Sequence, residues 1–488
     1  MNINQISWGD DSAEKDAYLL EYFVASESLK RLAEKEKGIV IGRKGSGKSA
    51  LLKKLDQVFR DQDNTTVIKV APKYNSIRTI LNDKDISSNF GVEIFFQHTW
   101  LRQIYLDLVC SIGHNAKGRY ASGSYEFARE IAQQQGRTSK DIVENIADVL
   151  SKVKAKVGDL GEFGLELEKE LRNIADVEAL EHHVNSLVID KEKAVVLIDD
   201  LDLGWDNSDT ANDMLLGLLS AANYIGGMNN NIHPIIFLRE DVYSILMERT
   251  QHSDKYRNVE RLRWSKEDLV EILEARINFN RARDGLGVIE NPFLTVFPQT
   301  VGVYNSDNWM IERTLSRPRE LIQLSRYYSE GVEGDAPSDA VLKASESEYS
   351  NWKLDDLCAE YSNQYPGLNS IFSHWKTKYR RHKYHLKRGE LEDILLGIMG
   401  EVPLNQEWFS LLVDAVDVNG LMSILYEIGF LGDFVLGGQG GSKTYYSYEG
   451  RHEPLFDEVQ IHSCFRKAVN TVERIRTAQV GVPGGAAI

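Results

Sequence analysis

The clearest chemical pattern in the chain is Gly42-Arg43-Lys44-Gly45-Ser46-Gly47-Lys48-Ser49, which fits G-x-x-x-x-G-K-[ST]. Glycines at this spacing let a backbone turn tightly and approach an anion with no Cβ in the way. Successive N–H groups then form a nest at the start of a helix, where the helix end also favours negative charge. The Lys48 ammonium would neutralise the outer phosphates of a nucleoside triphosphate, and the Ser49 hydroxyl would hold Mg²⁺. Ile39-Val40-Ile41 before the motif is the short apolar run of a buried parallel strand, and Ser49-Ala50-Leu51-Leu52 opens a helix after it. That context separates a phosphate loop, Gly42 to Ala50, from a Gly/Lys-rich surface turn.

A second constellation completes the first. Ala194 to Asp200 (AVVLIDD) reads as an apolar strand ending in two acids, followed by Leu201 and Asp202. Asp199 at the carboxyl end would reach Mg²⁺ directly or through water. Asp200 is the candidate to orient and activate an attacking water. Asp202 is either a second polarising group or a turn-former, since short acids start turns. Arg239 ends another apolar strand, Pro234 to Leu238, where it would sense a terminal phosphate, bind Asp200, or form an ordinary strand-end salt bridge.

These residues need an open α/β sheet to position them, because ligands collect at the carboxyl ends of its strands. Besides the strands already named, Thr66 to Ala71 reads as a strand stopped by Pro72, and Val259 to Trp264 as a fifth. Helical patterns cover Ala13 to Phe23, Leu29 to Lys35, Val92 to Ile112, Asp209 to Ala222 and Val242 to Arg249. Asn229 to Asn231 mark a turn. Residues 114–190 read as a helical insertion, with Tyr125 to Gln135, Asp141 to Lys156 and Val177 to Val188 helical and a break from Gly158 to Gly164. Ser265 is the N-cap of a helix running to about Arg283. Thr314 to Ile322 (TLSRPRELI) opens a further helix with Pro318 in its first turn and Arg319 at its start.

Composition bounds the rest. A chain of 488 residues, 42% hydrophobic and 27% charged, is an ordinary globular balance for two to four domains. No run of 18 apolar residues exists, so no membrane span is expected. The polar, acidic beginning is not a secretory signal, and Cys110, Cys358 and Cys464 have no disulfide or zinc spacing; a cytoplasmic setting is expected. A net charge of −16 argues against broad adhesion to nucleic acid or anionic lipid, though not against a local basic site.

Five apolar strands, a phosphate loop on the first and an acid pair on the third resemble the AAA+-related P-loop ATPases, over about residues 8–330. The strand endings LIDDLD and FLRED look most like the STAND and KAP-like branches of prokaryotic ATPases, many of which are signalling or antiphage-defence switches. The resemblance implies a parallel sheet of order 5-1-4-3-2, a small helical lid, ATP and Mg²⁺ as cofactors, a homo-oligomer and an effector partner. It implies that Arg319 on the lid meets the γ-phosphate and that Tyr22, Phe23 and Val24 pack over adenine. Adenine is itself implied by the resemblance, and no guanine-reading NKxD motif is present. A trans arginine finger would be Arg249 or Arg257. Asp200 stands where motor ATPases of this group carry glutamate, which favours a slow switch over a fast motor.

The resulting division is a core over 1–264, a lid over 265–345 and a C-terminal module over 346–488. In the last, Lys376 to Arg388 carries seven Lys or Arg and no acid, with Tyr379 and Tyr384 between them. It reads either as a nucleic-acid or partner strip or as a basic helix docked on an acidic body. The overall charge weighs toward docking. Helices at Glu390 to Met399, Gln406 to Val413 and Asn419 to Glu427, then a hairpin of Phe430 to Leu436 and Lys443 to Tyr448 around Gly437, Gly438, Gly440 and Gly441, look like a winged helix. Its third helix has no Lys or Arg, which suits major-groove reading poorly. Residues 477–488 read as a loose tail.

Overall fold

A computed structural model of the chain describes residues 1–10, 12–71, 92–115, 123–135, 175–188, 193–201, 205–437, 441–450 and 452–472. Pro72, the helix at 141–156, the break at 158–164, Asp202, Gly438, Gly440 and the tail at 477–488 lie outside these residues. The chain divides into two compact units. The first comprises Gly9–Phe279 with Arg317–Arg319, and the second Met1–Trp8, Asn280–Ser316 and Glu320–Ile488.

The first unit is a doubly covered parallel sheet. Its elements are α1 (Glu27–Ala33), β1 (Ile39–Gly42), α2 (Lys48–Arg60), β2 (Thr65–Val70), α3 (Val92–Asn115), α4 (Gly123–Gln135), α5 (Ala175–Val188), β3 (Lys193–Ile198), α6 (Asp209–Met228), β4 (Ile232–Arg239), α7 (Glu240–Arg249), β5 (Val259–Arg261) and the start of α8 (Lys266–Arg283). Strand order is β2-β3-β4-β1-β5, every pair parallel. Read from the other edge this is 5-1-4-3-2, the order of a P-loop NTPase core.

Strands buried on both sides must be apolar at every position, and alternate residues then serve alternate faces. Ile39, Ile41, Ala194, Val196, Ile198 and Ile236 pack with α3, α5 and α6, while Val40, Val195, Leu197, Ile235 and Phe237 pack with α1 and α2. Phe96, Trp100, Ile104 and Leu108 of α3 are buried in that core, and Trp100 Nε1 donates to Met214 O at 3.0 Å. The aromatic spacing in this helix therefore reflects packing.

The second unit begins with the hairpin β6–β7 (Thr300–Val301, Tyr304–Asn305), α9 (Ser306–Ile311), α10 (Pro318–Gly331, from Glu320 onward) and α11 (Asp339–Glu360). Lys353 of α11 is fully buried, bonding Glu320 at 2.8 Å and Asp356 at 3.1 Å. Glu320 also accepts from the Leu315 N–H, so a desolvated charge is met on several sides. Then follow α12 (Leu368–Lys378), β8 (His385–Lys387), α13 (Arg388–Glu401), α14 (Glu407–Ala415), α15 (Val418–Glu427), β9 (Leu431–Val435), β10 (Lys443–Tyr445), β11 (Glu458–Ile461) and the single turn α16 (Ser463–Arg466). The strands form an antiparallel sheet of order β10-β9-β11-β8.

Several expectations change. Residues 13–23 form turns rather than a helix, tied down where Lys53 Nζ reaches Ala13 O (3.2 Å) and Asp16 O (2.9 Å). The fifth strand stops at Arg261, and the third stops at Ile198, leaving both acids in the turn beyond. The basic stretch is not one helix: it runs from the end of α12 through a turn into edge strand β8. Lys378 pairs with Glu401, Arg388 with Glu392 and Lys376 with the Asn351 amide. The winged-helix outline is widened by β8 and β11, and the segment read as lid is divided: 265–279 and 317–319 fall in the unit of the parallel sheet, and the rest falls in one unit with the C-terminal module. Among the described residues no helix is long and apolar enough to cross a membrane.

Two outcomes follow from this packing. An ideal Cβ on Gly217 of α6 would lie 2.5 Å from Phe96 Cβ and 2.8 Å from Gln97 N. Gly217→Ala therefore costs about 1–2 kcal/mol net, its overpacking exceeding the better helix propensity, read as a lower urea midpoint. At the amino end of β4, burial first and then Lys35 push His233 down from 6.5 to about 4. A depressed histidine stabilises the fold above its unfolded value and loses that contribution as pH falls. Melting temperature should thus decline from pH 6.5 toward 4, with a shallower slope in His233→Gln.

Candidate functional site

Sheet register brings the chemical residues to one edge. Ile198 pairs with Ile236, Ile236 with Ile39, and Gly42 with Arg239, so the ends of β1, β3 and β4 open on the same side. The loop after β1 and the acids after β3 flank the end of β4. Asp199 is half-buried, and its N–H donates to Val70 O at 3.2 Å. Asp200 is exposed with φ of 59°, a left-handed conformation that a non-glycine residue adopts at a cost of about 1–2 kcal/mol.

Gly45 and Gly47 have φ of 77° and 95°, so the loop requires glycine there. Between them Ser46 folds back: its N–H donates to Arg43 O at 3.1 Å. Its Oγ would lie 2.4 Å from a Cβ on Gly42, which gives that glycine its own reason. The Oγ is buried without a hydrogen-bond partner among the described residues, a state costing about 1–3 kcal/mol. Lys48 Nζ donates to Gly42 O (2.8 Å) and Arg43 O (3.3 Å), curling over its own loop. Ser49 and Ala50 follow in the first turn of α2.

The first turn of α10 closes over this loop. A Cβ on Gly45 would lie 3.2 Å from Arg319 Cβ and 3.3 Å from its Cδ, so Arg319 rests on the glycine. Arg317, only 2% exposed, donates from Nη1 to Lys44 O at 2.9 Å. The sequence reading singled out Arg319 and passed over Arg317, although both lie in SRPRELI. Arg239 is 9% exposed and held bidentately by Asp241, Nε–Oδ1 3.1 Å and Nη2–Oδ2 2.6 Å. That is the strand-end salt bridge, and sensing a phosphate would require an exchange of partners. Arg249 pairs with Asp209 at 2.7 Å, and Arg257 is exposed.

Beside the loop lies an apolar pocket of about 500 Å³ including its open mouth, lined by Tyr22, Phe23, Val24, Ala50, Leu262 and Trp264 among others. Tyr22, Phe23 and Val24 are where the resemblance puts a base-covering segment, although the chain there is turn rather than helix. Two pocket residues were missed. Trp264 was read as the end of a strand. Arg276 lies in the helix after Ser265 with nothing in its spacing to mark it; its guanidinium sits 4.5 Å over the Tyr22 ring and donates to Ile272 O at 3.0 Å. Burial holds Arg276 below the ordinary guanidinium value, against the pull of Tyr22 and Asp16. Burial also raises Tyr22, whose hydroxyl bonds the buried Asp16 carboxylate at 2.5 Å.

The residues fit a nucleoside triphosphate and a hard cation. The loop has the nest geometry, a cation and an orphaned hydroxyl, the pocket offers an apolar slot, and Ser49 with Asp199 supplies oxygen donors.

A family described as the FunZ-associated C-terminal helical domain matches residues 267–358. The chain is 22% identical to a transposon gamma-delta 80.3 kDa protein of Escherichia coli (strain K12), over 95% of this chain and 67% of that protein. Among solved structures, Cdc6p from Pyrobaculum aerophilum aligns over 94% of this chain and 97% of its own, at 13% identity and a TM-score of 0.33. The P-loop fold rests on the strand order and the loop themselves.

Gly45→Ala tests the contact beneath Arg319. A methyl group there meets both a left-handed backbone and the arginine stem, so melting temperature drops and ATP binding weakens about tenfold, measured by calorimetry.

Proposed function

We propose that this chain is a Mg²⁺-dependent ATP-binding and ATP-hydrolysing switch, homo-oligomeric and of the STAND/KAP-like kind, coupling its nucleotide state to an effector protein in signalling or defence. The observation that carries this reading is the left-handed glycine loop with Lys48 curled over it, on the sheet edge that also carries Asp199. The main chain of Gly45, Ser46 and Gly47 binds phosphate oxygens, and Lys48 exchanges its two carbonyl partners for them. Arg43, Lys44 and Ala50 complete the loop. Ser49 and Asp199 would hold Mg²⁺, which when bound neutralises charge developing on the phosphates. Asp200, on its exposed turn, orients the attacking water and accepts its proton. Arg319, and Arg239 after leaving Asp241, report the terminal phosphate.

Turnover here depends on positioning and charge compensation rather than covalent chemistry, which these residue types suit. The Arg239–Asp241 pair favours slow turnover, since it ties Arg239 to a partner that it must leave before it can meet a phosphate.

A second reading is a DNA-acting ATPase. It draws on Arg380, Arg381, Lys383 and Lys387, which are exposed and form no ion pair among the described residues. Hydrolysis stimulated by DNA and lost in high salt would favour it.

The main test compares the wild type, Lys48→Ala and Asp200→Asn. Lys48→Ala should abolish ATP binding, and Asp200→Asn should bind ATP without releasing phosphate. In the wild type, ATP·Mg²⁺ at about 100 times its Kd should add about 2.7 kcal/mol, seen as a thermal shift. No shift in the wild type overturns the nucleotide reading, and equal hydrolysis by Asp200→Asn removes that residue's role.

A further inference from the structure

Trp264 belongs to two places at once. Its ring lines the apolar pocket, and its Nε1 donates to Ser46 O at 2.8 Å. Its Cζ2 would lie 3.5 Å from a Cβ on Gly47, so the indole lies along the loop as well as beside the pocket. The residue is placed there by the helix behind it: Ser265 caps α8, its Oγ accepting from Asp268 N at 3.0 Å and its N–H donating to Asp268 Oδ2 at 2.9 Å.

The consequence lies in the peptide plane. In a trans peptide the carbonyl and the following N–H point in opposite directions. The chain has no cis peptide among its described residues. Drawing Ser46 O toward the indole therefore aims the Gly47 N–H away from it. That N–H meets no acceptor among the described residues. Gly47, at φ 95°, has no side chain to restrain the plane by itself.

Resting on the nucleotide reading, we infer that Trp264 is a positioning residue: its indole hydrogen bond fixes the Ser46–Gly47 peptide so that the Gly47 amide faces the phosphates, tying the loop to the wall of the base pocket. The bond costs a ligand nothing to form, because it already exists in the free chain. It also gives the base a route to the phosphates, since anything seated against the indole bears on the group that orients the amide.

The test uses a ligand without a base. Inorganic tripolyphosphate has nothing to stack on Trp264, so the indole influences it only through the loop. Displacement of a fluorescent ATP analogue is measured for ATP and tripolyphosphate, on the wild type, Trp264→Phe and Trp264→Leu, each checked for folding by circular dichroism. Trp264→Phe keeps a ring and loses the donor, and should weaken both ligands by a similar factor, about tenfold. Trp264→Leu also lacks the donor and supplies the tripolyphosphate measurement should the phenylalanine variant not fold. Loss of ATP affinity alone, with tripolyphosphate unchanged, makes Trp264 a mere pocket wall and overturns the inference, as does no change in either. A wild type that binds neither ligand sinks the nucleotide reading itself, which is a separate result.

Discussion

Two left-handed backbone turns, at Gly45 and Gly47, set the conditions for the rest of the site. They fold the loop so closely that side chains from elsewhere can lie directly on its main chain: Arg319 on Gly45, Trp264 on Ser46 and Gly47, Arg317 on Lys44. Each contact reaches backbone and would survive many changes in the loop's own side chains. The first of them would not survive a Cβ at Gly45 without movement. The constraint is steric before it is electrostatic, and the charges act on a shape already chosen.

The sheet beneath supplies placement. Strict alternation along β1, β3 and β4 commits each strand to two helical layers, and a slip of one residue would exchange the faces. Register is therefore strongly held, and with it the alignment of Gly42, Arg239 and the Asp199 turn along one edge. Lys353 gives the second unit a different kind of anchor, a buried ammonium whose carboxylate partners come from α10 and from its own helix. Such a cluster rewards one arrangement and penalises alternatives that strand a charge.

The core of the fold was legible because its signals are local. Short apolar runs named the strands that carry the site, and a motif with a steric reason for its glycines named the loop. What was not legible depended on distant partners. Residues 13–23 carry a helical pattern, yet Lys53 and the Asp16–Tyr22 bond hold them as turns, and no local signal reports either contact. β8 and β11 are three and four residues long and acquire strand character only by pairing with each other and with β9. Trp264 ended the stretch Val259 to Trp264 that read as strand, while its bond to a residue 218 positions away decided its place. At Arg239 the sequence left a phosphate sensor and a salt bridge open, because Asp241 two residues on reads equally well as the start of a helix.

The hold of Lys48 on the carbonyls of Gly42 and Arg43 has a consequence for selectivity. The loop carries its own internal counter-ligand, so any anion enters by substitution rather than simple attraction. A lone sulfate or orthophosphate competes with these carbonyl oxygens for the ammonium and offers little else in return. A longer polyanion with an apolar end can recover that loss along its length, through several amides and the neighbouring slot. The ammonium thus acts as a latch that raises the threshold for casual occupants, and in a cell full of small inorganic anions that discrimination would matter as much as affinity.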